Sequence, residues 1–278
     1  MVVPIRNRNA PAVRAEEAFR LFCYPAKQRP GDYNRLAKRA RFHLRQAGHG
    51  HIGGVRTYVV APSGAAKGTI LLVHGWAAEA SFMAAFAEPL RRAGYRVVLL
   101  DLPAHGRSEG KFTNLAACAR ATHRVARSFE PLRGIVGHSL GGLISLWIAE
   151  GGPPLPAPVP VKKIALLACP NRFLDVTREF GAGLDLCEKA QLGFEWRVSR
   201  VGRRSVDRFS AANLLEPISS EVLVVHSVDD ERVGYMNAKA IVASGRSARL
   251  ITCEGLGHAR VLYDPNVIRS VTSFIAQD

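Results

Sequence analysis

The residues best suited to chemistry sit in the run Gly137-His138-Ser139-Leu140-Gly141, a G-x-S-x-G spacing. The apolar stretch Ile135-Val136 precedes it and Leu143-Ile144-Ser145-Leu146-Trp147-Ile148-Ala149 follows it, so the serine falls where a strand turns into a helix. A serine at such a turn is held in a strained backbone with its hydroxyl exposed. Bulky side chains two residues to either side would collide there, which accounts for Gly137 and Gly141. The helix that begins at this point brings free N–H groups and a dipole that favour an anion beside the serine. The N–H of Leu140, next in the chain, is one candidate donor to that anion.

Serine is a poor nucleophile at neutral pH and needs a base. Histidine suits the task because its pKa lies near operating pH, and a carboxylate must then fix its tautomer and stabilise the imidazolium. Among the nine histidines, His258 follows the apolar run 248–252 on the glycine-bracketed loop Gly255-Leu256-Gly257. Two neighbouring acids, Asp229 and Asp230, follow the apolar run that ends at His226.

These residues need a frame to position them. From residue 69 the chain alternates, with strands expected at 69–73, 95–100, 134–136, 163–168, 221–226 and 248–252. Helices are expected at 82–93, 115–129, 142–150, 235–244 and 266–276. The strands are continuously apolar, as when helices cover both faces of a parallel sheet, and the expected class is α/β, doubly wound. Ahead of them, helices are expected at 15–22 and 33–41. Two strands at 41–46 and 55–60 follow, joined as a hairpin by the turn-rich Gly48-His49-Gly50-His51-Ile52-Gly53-Gly54. Residues 151–160 are proline-rich and read as a surface connection. Residues 171–220 interrupt the alternation with helical periodicity, five aromatics (Phe173, Phe180, Phe194, Trp196, Phe209) and five arginines (Arg197, Arg200, Arg203, Arg204, Arg208). The expected organisation is a basic helical extension over 1–50, a core over 51–170 and 221–278, and a helical cap inserted over 171–220.

The 278-residue length suits one domain with such an insertion. Residues 1–20 carry four arginines and two glutamates and no continuous apolar run, which argues against a secretory signal. Five cysteines, none at C-x-x-C spacing, suggest neither a zinc site nor a disulfide framework, and a reducing cytoplasmic compartment is expected. The net charge is +15, and residues 1–50 hold eleven Lys/Arg against three Asp/Glu. With no nucleic-acid motif beside it, this charge reads as a solvated basic face rather than a nucleic-acid surface; peripheral contact with an anionic membrane through the N-terminus stays open. Neither G-x-G-x-x-G after a strand nor a P-loop is present, no metal cluster is visible, and the expectation is an enzyme without cofactor.

Four ordered stretches resemble the α/β-hydrolase superfamily, over about residue 55 to the end. Leu71-Leu72-Val73-His74-Gly75-Trp76 is similar to the family's strand followed by H-G-x. Asp101-Leu102-Pro103-Ala104-His105-Gly106-Arg107-Ser108 resembles D-x-P-G-H-G-x-S, with Ala104 in place of the usual glycine. The third is the run Gly137 to Gly141. The fourth joins His226-Ser227-Val228-Asp229-Asp230, with Ser227 where the family has glycine, to Gly255-Leu256-Gly257-His258. The resemblance implies the order nucleophile, acid, base: Ser139, then Asp230 by the H-x-x-x-D spacing in preference to Asp229, then His258. Asp185 and Asp207, within the insertion, rank below them as acids. It further implies an oxyanion hole from the N–H groups of Leu140 and Trp76.

The other eight histidines have structural readings. His74 precedes the oxyanion loop, His105 lies in a turn, His138 packs within the serine's turn and His226 bonds locally; His43, His49, His51 and His123 carry no motif. The expectation is therefore a serine hydrolase of carboxylic esters with small or acyl substrates, acting through an acyl-enzyme, with an anionic portion suggested by the arginines of the cap. A thioesterase, peptidase, C–C hydrolase or acyltransferase would use the same three residues. A ligand-binding protein on the same scaffold is the alternative of another class.

Overall fold

A computed structural model describes residues 10–25, 47–244 and 247–277. The helix expected at 33–41 and the strand expected at 41–46 lie outside them. Helix α1 (Pro11–Phe22) starts with proline, whose fixed φ suits a first turn. A hairpin follows, but not the one expected. The glycine- and histidine-rich segment read as its turn is itself a strand, β1 (Gly48–Ile52), paired antiparallel with β2 (Val55–Val60), and the turn shrinks to Gly53-Gly54 at φ +57° and +79°. The physical reason is position. β1 is an outer strand of the sheet, so its register comes from backbone pairing to β2 and not from strand-forming side chains.

The chain then alternates as expected: β3 (Thr69–Val73), a 3₁₀ turn (Ala80–Phe86) running into α2 (Ala87–Arg92), β4 (Arg96–Leu100), α3 (Leu115–Ser128), β5 (Leu132–His138), α4 (Leu140–Glu150) and β6 (Val161–Leu167). Between β6 and β7 come α5 (Phe173–Ala182), α6 (Glu188–Gly202), a 3₁₀ turn (Val206–Arg208) and α7 (Ala211–Leu215). The chain closes with β7 (Glu221–Ser227), α8 (Met236–Ser244), β8 (Ala248–Cys253), α9 (Gly257–Arg260) and α10 (Pro265–Ala276). Several helices begin on side-chain caps. Asn114 accepts the N–H of Ala117, Ser210 that of Asn213, and Asp264 those of Asn266 and Val267.

The eight strands of the described residues lie in the order β1-β2-β4-β3-β5-β6-β7-β8, parallel from β4 onward. Alternate side chains of β3 enter opposite layers. Leu71 and Val73 pack with α3 and α4 residues such as Cys118 and Ile144, whereas Ile70 and Leu72 pack with Leu90 of α2 and Val271 of α10. Burial on both faces is why these strands are apolar at every position. From β3 the chain steps outward to β4, and from β5 it steps the other way to β6, so the connections leaving these two paired strands diverge at their carboxyl ends. A crevice opens at such a reversal. Among the described residues no helix is long and apolar enough to cross a membrane.

Candidate active site

The register of the sheet assembles the site. Val73 pairs with Gly137 across β3 and β5, so His74-Gly75-Trp76 and His138-Ser139 leave the sheet side by side. A Cβ added to Gly75 would stand 2.9 Å from Ser139 Cβ, so only glycine lets the β3 loop come this close. Ser139 adopts φ +52° and ψ −127°, the strained geometry that the flanking sequence implies. A Cβ on Gly137 would lie 2.6 Å from Gly141 O and 2.6 Å from Ser145 Oγ, so the tight turn depends on glycine there. Ser139 N–H is fixed by Leu167 O of β6 at 2.9 Å. Among the described residues its hydroxyl makes no hydrogen bond, and neither do the N–H groups of Leu140 and Trp76.

The opposite side of the crevice comes from the ends of β7 and β8, where Ser227 pairs with Cys253. Asp230 follows β7 and His258 follows β8. His258 sits in the short helix α9, not on a free loop as expected, and is half-buried. Its Nδ1–H donates to Asp230 Oδ2 at 2.8 Å, which leaves Nε2 with a lone pair. Asp230 is buried. Its Oδ1 accepts the N–H groups of Arg232 at 3.0 Å and Val233 at 2.9 Å, and His226 Nε2 stands 3.4 Å from Oδ2. Burial alone would raise its pKa. The hydrogen bonds from His226, His258 and Val233 together outweigh it and hold the carboxylate well below the usual range. Asp229 has a different job. It is exposed, accepts the Gly257 N–H at 3.1 Å and the Ser227 hydroxyl, and so braces the loop that carries His258. Ser227, present where glycine is usual, also accepts the Leu256 N–H at 3.2 Å.

His138 links the two halves. Its Nε2–H donates to the carbonyl of His258 at 2.9 Å and the two rings lie 4.9 Å apart, which brings His258 to the neighbour of Ser139. Burial, reinforced by nearby His258, depresses the His138 pKa to about 3, so the ring stays neutral.

Two further histidines hold the β3 loop. His74 donates from Nδ1 to Gly75 O at 2.7 Å and accepts the Leu102 N–H on Nε2 at 2.9 Å. His105 donates to Pro103 O at 2.8 Å and accepts the Ala77 N–H at 3.0 Å. Burial lowers both to about 4, with the His74 ring adding to the effect at His105. Buried Asp101 completes the brace by accepting the N–H groups of Ala80 and Arg107 and the Tyr58 hydroxyl. Ala104 adopts φ +64°, the conformation that explains why glycine is usual in this turn. His226 donates from Nε2 to Val233 O at 2.7 Å.

Asp185 and Asp207 stay apart from His258. Asp185 follows the end of α5 and Asp207 lies in a 3₁₀ turn beside Ser205. No group of three or more His, Cys, Asp or Glu among the described residues could hold a metal ion.

One residue at the site escapes sequence reasoning. Phe22, at the end of α1, stacks on Trp76 at 6.2 Å and 16° and meets Phe173, Phe180 and Phe194 within about 6 Å. No local signal joins residue 22 to residue 76; only the tertiary docking of α1 on α6 does so.

The model of the alpha/beta hydrolase family matches residues 70–269. A pimeloyl-[acyl-carrier protein] methyl ester esterase of Pectobacterium atrosepticum is 31% identical over 153 residues, 55% of this chain and 55% of that protein. The chain thus spans about half the length of the curated relatives it matches. Est1E of Butyrivibrio proteoclasticus, solved with ferulic acid bound, shares the fold with a TM-score of 0.65 at 21% identity, over 83% of this chain and 96% of that one. A putative lipase from Acinetobacter baumannii does so with a TM-score of 0.61 at 18% identity, over 90% and 97%.

Proposed function

The chain belongs to the alpha/beta hydrolase family, and from that premise we propose that it is a serine hydrolase of carboxylic esters. One observation carries the reading. A buried carboxylate fixes the tautomer of a histidine whose loop is tied to the strained serine's own turn, and among the described residues the N–H groups of Leu140 and Trp76, next in the chain to Ser139 and Gly75, make no hydrogen bond. An ester is also the bond named for the Pectobacterium relative.

Ser139 Oγ attacks the ester carbonyl as its proton passes to His258 Nε2. Asp230 holds Nδ1–H and stabilises the imidazolium. The N–H groups of Leu140 and Trp76 receive the oxyanion, each worth about 3 kcal/mol in holes of this kind. The tetrahedral intermediate collapses as His258 returns its proton to the departing alcohol, which leaves Ser139 acylated. A water then loses its proton to His258, attacks the acyl carbonyl and releases the acid, and the proton returns to Ser139. The helical segment 171–220 serves as the cap over the crevice, and the basic face of residues 1–50 supplies solubility or peripheral contact with an anionic surface.

Labelling with a fluorophosphonate followed by peptide mapping tests this reading. Modification confined to the peptide containing Ser139, absent in Ser139→Ala and reduced in His258→Ala, is the expected result. Folded wild-type protein that takes no label would contradict it.

A further inference from the structure

Helix α1 lies outside the stretch that the family model matches, yet its last residue reaches the loop that follows β3. Several contacts fix it there. Ala15 and Ala18 are buried in a cluster with Phe194, Glu16 pairs with Arg197 at 2.7 Å, and Arg14 donates to Leu184 O at 2.5 Å. The N–H of buried Thr113 bonds to Cys23 O at 2.8 Å, which ties the end of the helix to the core. Phe22 is further held by the rings of Phe180 and Phe194, which meet it edge-on at 4.9 and 5.3 Å.

The loop that Phe22 touches is strained. Ala77, next to Trp76, adopts φ +59°, a left-handed conformation that a residue with a Cβ keeps only where its surroundings impose it. His105 supplies one constraint. It accepts the Ala77 N–H at 3.0 Å, and its ring stands perpendicular to the Trp76 indole at 5.1 Å. Phe22 adds a second by stacking on the same indole at 6.2 Å and 16°. The indole and the backbone nitrogen of Trp76 branch from one Cα, so an indole held by two rings limits how far that nitrogen can swing. Gly75 already lies so close to Ser139 that the loop can relax only outward, away from the serine.

We propose that Phe22 is a positioning residue for the oxyanion hole: through its stack on Trp76, α1 keeps the Trp76 N–H turned toward Ser139. The inference rests on the hydrolase reading for its oxyanion, and it gives α1 a part in the chemistry that the reading does not need. Losing the stack weakens a contact made only as charge develops on the carbonyl oxygen, so the loss falls on kcat and not on KM. Removing one donor outright costs about 10²–10³ in kcat, and loosening one is expected to cost about tenfold.

The test measures kcat and KM for p-nitrophenyl butyrate in wild type, Phe22→Ala, Phe22→Leu and Phe22→Tyr, with circular dichroism and thermal melting to confirm folding. It also measures Ki for a trifluoromethyl ketone. Ser139 Oγ adds to the ketone carbon of that inhibitor, the serine proton passes to His258, and the carbonyl electron pair becomes an oxyanion in the hole. Phe22→Ala is expected to lower kcat about tenfold with KM within about twofold, and to raise Ki by the factor by which kcat/KM falls. Phe22→Leu keeps apolar bulk without a flat face; a fall of at least about threefold is expected, and it carries the test if the alanine variant does not fold. Phe22→Tyr keeps the ring and is expected to retain the wild-type kcat. Unchanged kcat in folded Phe22→Ala or Phe22→Leu, a loss carried by KM with Ki unchanged, or a Phe22→Tyr as slow as Phe22→Leu overturns the proposal. If the wild type cleaves no ester and takes no fluorophosphonate, the hydrolase reading fails, and the hold of Phe22 on Trp76 is judged by hydrogen exchange of the peptide containing residues 74–79. Faster exchange in a folded Phe22→Ala or Phe22→Leu, restored in Phe22→Tyr, supports that hold, and exchange equal to the wild type overturns it.

Discussion

Replacing Asp230 by asparagine changes one atom and should cost nearly all the activity. The carboxylate makes four contacts: two backbone N–H groups on Oδ1, and His258 at 2.8 Å and His226 at 3.4 Å on Oδ2. Asparagine can keep the first two by turning its carbonyl toward Arg232 and Val233. Its amide NH₂ then faces His258 Nδ1 as a donor, so the imidazole must place its proton on Nε2, where the lone pair is needed. The imidazolium of the transition state also loses its counter-charge. In a serine protease with the same logic this change costs about 10⁴ in kcat, and at RT of about 0.6 kcal/mol that is roughly 5.5 kcal/mol of transition-state stabilisation. The expected loss here is therefore about 10³–10⁴ in kcat, with KM altered less than threefold. Asp229→Asn should cost less than about tenfold, because Asp229 is exposed and braces the loop through Ser227 and Gly257. Steady-state kinetics on a p-nitrophenyl ester with both folded variants provides the assay. A loss below tenfold in Asp230→Asn, or an equal loss in Asp229→Asn, would refute the reasoning.

Ala104→Gly should stabilise the fold by about 0.5–1 kcal/mol, since the residue sits at φ +64° and glycine relieves that strain at some cost in chain entropy; urea unfolding at pH 7 measures it. Gly141→Ala should destabilise by at least about 2 kcal/mol and abolish activity, because the new Cβ would meet Val73 O and His74 O, both backbone; melting temperature and turnover check it. Stability should fall as pH drops from about 6.5 to 4. His74 and His105 titrate near 4 in the folded chain, below an unfolded value near 6.5, so the unfolded state binds more protons across that window. Each can contribute up to about 3 kcal/mol of that loss, and urea midpoints that stay flat from pH 7 to 4.5 would contradict it. Asp230 acts in the same direction at lower pH, its share present above the unfolded carboxylate value near 3.9 and lost as the carboxylate protonates below it.

Much of this frame is legible in the sequence because its determinants are local or periodic. Runs such as Ile70-Leu71-Leu72-Val73 are apolar at every position since both faces are covered, and that pattern identifies central parallel strands. The candidates Ser139, Asp230 and His258 are picked out by where they stand relative to strand ends, and the register pairs the ends of β3 with β5 and of β7 with β8. What sequence reasoning misses follows from pairing at a distance. β1 is glycine and histidine in four of its five positions and becomes a strand only because β2 offers it an edge. α9 forms a helical turn where two glycines suggest a loop, with Gly257 at φ +53° entering it. The stacking of Phe22 on Trp76 joins residues 54 positions apart and leaves no trace in local pattern.

The central claim is that Ser139 carries the acyl group. Brief reaction with p-nitrophenyl butyrate, acid quenching and peptide mass spectrometry tests it most directly. The account predicts one added butyryl group on the peptide containing Ser139, absent in Ser139→Ala. Turnover without any acylated peptide, or acylation on another residue, would contradict it.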